Sequence, residues 1–157
     1  MDNQLKQDFT RRISQCNRGG MIIIIYDIFF AYVEDIRLAK ADDNRKAFKE
    51  SIRNASDTLD ELMNSLDFKY DLSKTLYSLY MYCKNNLAKA MYEYRLDKID
   101  EAEKIMRCLY DSFEKVAAQD TSEPVMKNAQ QVYAGMTYGR YELNENCSDD
   151  IHRGFFV

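Results

Sequence analysis

The chain has 157 residues, 46% hydrophobic and 31% charged, with only 5 Gly and 1 Pro. That length and apolar content suit one compact domain, and so few turn formers exclude a sandwich or barrel, which needs a turn every ~8–12 residues. With 22 basic and 26 acidic residues the net charge is -4, a balance that predicts no nucleic-acid partner and no membrane insertion.

In chain order, residues 1–16 are polar, but Leu5, Phe9 and Ile13 fall at i, i+4 and i+8, which predicts a short helical arm with an apolar edge. Asn17 is placed to cap a first long helix. Gly19 and Gly20 in its opening turn each cost about 1 kcal/mol relative to Ala, so that end is expected to fray or start late. An apolar 4-3 repeat then recurs in four segments. The first stripe is Ile22, Ile25, Phe29, Tyr32, Ile36 and Ala39, and the second is Phe48, Ile52, Ala55, Leu59, Leu62 and Leu66. The third runs through Leu72, Leu76, Leu79, Cys83, Leu87, Ala90 and Tyr94, and the fourth through Ile99, Ala102, Met106, Leu109, Phe113 and Val116.

The stripes are interrupted only briefly, around Asp42 to Asn44, Phe68 to Asp71 and Leu96-Asp97. Short connections make neighbouring helices antiparallel, so residues 17–117 are expected to form an all-α, up-down four-helix bundle. Residues 118–157 carry three basic residues against six acids, three of the five Gly and the Pro. Within this extension, Ser122-Glu123-Pro124 followed by Val125, Ala129, Val132 and Met136 predicts a short amphipathic helix near 123–135, with disorder beyond Tyr141.

The most apolar run, Met21 to Val33, contains Asp27 and falls short of the roughly 20 residues needed to span a bilayer. It starts late, and Glu34, Asp35 and Arg37 separate it from Ala39-Lys40-Ala41, so no secretory signal is expected and the protein is assigned to the cytoplasm. Cys16, Cys83, Cys108 and Cys147 form no CxxC pair and read as free thiols.

Chemistry that bundles host elsewhere has no residues here. The one histidine, His152, lies in the tail, which removes Glu-x-x-His metal pairs and a phosphotransfer helix. There is no C-x-x-C-H and no Gly-rich phosphate cradle, and no histidine to activate a thiol, so neither a catalytic residue nor a metal or cofactor is assigned. The carboxylate pairs Glu34-Asp35, Asp60-Glu61 and Asp100-Glu101 sit off the stripes, as solvated faces do.

A bundle needs one stripe per helix, and this chain has more. Ile23, Tyr26 and Phe30 lie away from the first stripe at i, i+3 and i+7, and Tyr77, Met81 and Tyr92 cluster on the far side of the third. Two readings stand: wide packing, with cover from the arm or tail, or an exposed groove for an amphipathic partner helix. These six residues are the candidate partner-binding set.

Four stretches also carry a resemblance. Met21-Ile22-Ile23-Ile24-Ile25-Tyr26-Asp27, Glu61-Leu62-Met63-Asn64-Ser65-Leu66-Asp67, Leu79-Tyr80-Met81-Tyr82 followed by Leu87 and Ala90, and Leu109-Tyr110-Asp111-Ser112-Phe113 occur in an order that resembles the flagellar secretion chaperone family FliS. The chain departs from that pattern at Asn17-Arg18, where the family has Ser/Thr-Pro, and at Ile28 in place of a glycine. It departs again at Asn85-Asn86 in place of an arginine pair, and at Asp8 beside Phe9 in place of an arm tyrosine. The resemblance implies a non-enzymatic chaperone that holds the C-terminal segment of flagellin, prevents premature polymerisation and delivers it to an export-gate component of the flagellar type III apparatus. The competing expectation is a bundle that acts as a regulatory adaptor for a different flagellar or regulatory protein.

Overall fold

The computed structural model describes residues 2–126. They form helices α1 (Asn3–Gln15), α2 (Arg18–Ala41), α3 (Arg45–Asn64), α4 (Asp71–Glu93) and α5 (Asp97–Ala117), with no strand among the described residues. Helices α2 to α5 make the expected up-down bundle. Each packs on its chain neighbour and α5 closes the ring on α2, while α1 lies against α2. Antiparallel register is visible in the contacts: Lys84 meets Asp60 between α4 and α3, and Arg37 meets Asp100 and Glu103 between α2 and α5.

The core follows the repeat most closely in α3, where Phe48, Ile52, Ala55, Leu59 and Leu62 are all buried. In α5 the seam holds through Ile99, Ala102 and Met106, and in α4 through Leu76, Cys83, Leu87 and Ala90. Its ends do not: Leu72 and Val116 each keep 66% of their surface exposed, although both continue the 4-3 step. They stand in the first and last turns of α4 and α5, where burial needs a partner alongside and periodicity alone cannot supply one.

Helix α2 corrects the sequence reading. Its buried residues are Ile24, Tyr26, Phe29, Val33, Ile36 and Ala39, so Ile22, Ile25 and Tyr32 flank the seam instead of forming it. The run Met21 to Ile25 is apolar all the way round, and a helix touching α1, α3 and α5 buries more than one face.

The start of α2 differs from expectation as well. The helix begins at Arg18, with the Asn17 side chain accepting from the Gly20 N–H, and Asp120 Oδ2 accepting from the Gly19 N–H at 3.0 Å. Asn17 Nδ2 in turn donates to the Asp120 carbonyl at 2.8 Å. A Cβ on Gly19 would stand 3.2 Å from Ala117 Cα, so glycine is the residue that lets the end of α5 close on the start of α2. The helical propensity it gives up is exchanged for this junction.

Past α5, residues 121–126 are not helical, and the Val125 N–H donates to the Cys16 carbonyl at 3.0 Å. The remainder of the helix expected near 123–135, and the disorder expected beyond Tyr141, lie outside the described residues.

Candidate functional site

The arm comes first, because it decides what α2 leaves open. Phe9 is buried, Arg12 sits 5.7 Å from the centre of its ring, and Arg12 pairs with Asp27 on α2. The arm therefore docks through Phe9, with Ile13 half-buried, while Leu5, read from the sequence as part of the same edge, stays exposed. It leaves a shallow groove of about 440 Å³ whose walls include Arg12, Cys16, Ile23, Ile24, Glu114 and Ala117.

The six candidate residues separate into two groups. Tyr26 is fully buried and donates to or accepts from the Tyr80 hydroxyl at 2.7 Å, across the diagonal of the bundle. It also packs against Phe113 and edge-on to Tyr110 of α5. Tyr26 is a core residue, and its expected place on an open groove is corrected: α5 carries aromatic side chains that meet it. Phe30 is half-buried, edge-on to Tyr110 at 5.8 Å with the Arg107 guanidinium 4.6 Å from its ring centre. Ile23 borders the groove beside the arm. Within α2 the apolar surplus is therefore largely consumed by α1 and α5, in line with the packing alternative.

The α4 group is different. Tyr77 is 40% exposed, Tyr92 is 92% exposed and Met81 is half-buried. Three further residues that sequence reading did not assign to the site join them at the lower end: Phe68, Tyr70 and Leu72, all exposed. Phe68 meets Tyr77 edge-on at 5.8 Å. Phe68 and Tyr70 sit in the α3–α4 connection, where no periodicity marks them, and Leu72 was assigned to the core. The connection presents them because its polar groups bond locally, with Asp67 accepting from the Lys69 N–H and from the Ser73 hydroxyl. Helix α4 starts at Asp71, and Tyr70 before it gives no side-chain cap.

The outcome is an apolar row on α4 and its leading loop, beside a core that is already closed. An exposed aromatic and methionine row of this kind offers large contact area with adaptable shape, and it carries no reactive group. The buried polar chemistry lies elsewhere. Glu103 is buried between Arg37 and Arg107; burial pushes its carboxyl up, but the two guanidinium hydrogen bonds outweigh this and hold it below its ordinary value. Burial pushes the Cys83 thiol up to about 11, and Cys108 is the exposed thiol of the three described. At the Asn85-Asn86 departure, Asn85 faces solvent while Asn86 is buried. Among the described residues no helix is long and apolar enough to cross a membrane. Among them, too, no group of three or more His, Cys, Asp or Glu is placed to hold a metal ion.

Against known proteins, a family model described as Flagellar protein FliS matches residues 1–120, which covers the arm and all four bundle helices. No curated protein matches the chain.

Proposed function

The chain belongs to the flagellar protein FliS family, and from that premise we propose that it is a flagellin export chaperone, binding the C-terminal segment of flagellin through the apolar row on α4. The observation that carries the reading is that Phe68, Tyr77 and Tyr92 stay exposed on a bundle whose core is complete without them. A monomer built to bury amphipathic helices against copies of itself must be covered before assembly. A rigid bundle with an external apolar row covers such helices without admitting them to its own core. The client pays for its ordering on binding, so a large contact area yields a complex that still releases its cargo at an export gate.

The test is titration of the purified full chain with the C-terminal segment of its host's flagellin. Binding at about 1 μM or tighter supports the reading. Absence of binding overturns it and favours the adaptor alternative, with a different flagellar or regulatory protein on the same row.

A further inference from the structure

The non-helical residues between α1 and α2, Cys16 and Asn17, are held by the chain that follows α5. Asp120 is the pivot. Its carbonyl accepts from Asn17 Nδ2 at 2.8 Å, and its carboxylate accepts from the Gly19 N–H with one oxygen and from the Ser122 N–H with the other, both at 3.0 Å. The strap beyond it reaches the hinge, where the Val125 N–H donates to the Cys16 carbonyl at 3.0 Å. Within the strap, Pro124 has a fixed φ and confines Glu123 to extended backbone, so there is little freedom to lose on closing. The arm itself is lightly anchored. Among the described residues Phe9 is the one buried side chain of α1, and the Arg12–Asp27 pair is partly exposed on both sides.

We propose that residues 120–125 are a clasp that keeps the arm closed on α2, so that lifting the arm and releasing the strap are coupled. With Asn17 capping α2, the hinge turns about φ of Asn17 and about φ and ψ of Cys16. The Val125 bond pins the peptide plane that carries the Cys16 carbonyl, which locks the Asn17 axis and leaves the arm only the Cys16 ones. A lifted arm therefore has fewer conformations while the clasp is shut, and the docked state gains by the difference. Coupling of this kind runs both ways: whatever loosens the strap frees the arm, and whatever frees the arm loosens the strap. The strap lies past residue 120, where the match to the family model stops. The inference is independent of which client the bundle holds.

The test is amide hydrogen exchange and thiol alkylation on the full chain as wild type, Val125→Pro and Phe9→Ala. Proline removes the N–H that the clasp uses and nothing in the bundle core. In Val125→Pro, amides of residues 3–15 are expected to exchange about 5–10-fold faster, the effect of one lost backbone hydrogen bond, and Cys16 to alkylate faster relative to the exposed Cys108. Cys83, sealed in the core, is expected to stay as slow as in the wild type. In Phe9→Ala, which leaves the strap's sequence intact, the Val125 amide is expected to lose protection by a similar factor. Unchanged arm exchange in a Val125→Pro protein whose Cys83 is still slow overturns the proposal. So does an unchanged Val125 amide in Phe9→Ala, which keeps the test alive where the proline variant does not fold. A Val125 amide that exchanges at the free-peptide rate in the wild type overturns it as well.

Discussion

Tyr26 and Tyr80 bring two hydroxyls together inside the core, each the other's partner at 2.7 Å. Burial pushes both phenols up, so both stay neutral. A buried hydroxyl with a partner costs little, and one deprived of it carries the full desolvation penalty. Tyr26→Phe or Tyr80→Phe alone is therefore expected to cost about 1–3 kcal/mol in urea unfolding, and the double variant less than the sum of the two. Additive losses would mean the hydroxyls do not depend on one another. The pair also shows why residue-level reading of α2 failed. Tyr26 stands off the stripe that its own helix suggests, and only the aromatic side chains of α5 and the hydroxyl on α4 explain its burial.

At the scale of elements, two junctions hold the bundle's ends and flanks. At the α2–α5 end, Gly19→Ala adds helix propensity worth about 1 kcal/mol but drives a methyl to 3.2 Å from Ala117 Cα. Backbone gives way at greater cost than a side chain, so the variant is expected to lose about 1 kcal/mol net, seen as a thermal midpoint several degrees lower. An unchanged or higher midpoint would show that the junction is looser than it stands. Along the α2–α5 flank, the Arg37–Glu103–Arg107 network holds a carboxylate that is more acidic folded than unfolded. Its contribution is thus present above the ordinary carboxyl value of about 4.3 and is lost as pH falls through the lower folded value. Glu103→Gln is expected to destabilise the protein at pH 7 and to flatten the loss of stability with acidification below about pH 4.5, read from unfolding midpoints across pH. Parallel acid limbs for both proteins would contradict that assignment.

The same scale separates what was legible in the sequence. Helix α3 has polar residues on every face but one, so its seam from Phe48 to Leu62 could be read outright. The arm's Phe9 edge and the antiparallel order followed from spacing and short connections. Helix α2 could not be read so simply, since an all-round apolar run has no preferred face and three neighbours claim it. For the site, Tyr77, Met81 and Tyr92 stood out by lying off the seam, whereas Phe68 and Tyr70 belong to a connection without a period.

For the whole molecule, the division of labour is between a closed core and an external row. If the row is where a client helix docks, its loss must be felt in binding and not in folding. Core and surface substitutions then have opposite signatures: Leu87→Asp puts an unpaired charge into the sealed interior and is expected to abolish the cooperative transition. The most direct measurement is calorimetric titration of the flagellin C-terminal segment into the wild type and into Tyr77→Asp/Tyr92→Asp, with thermal unfolding of both. The expected result is a Kd at least ~10-fold weaker for the variant, about 1.4 kcal/mol, with a thermal midpoint within a few degrees of the wild type. Wild-type affinity in a folded variant would contradict the account, because the row would then be surface that no client touches.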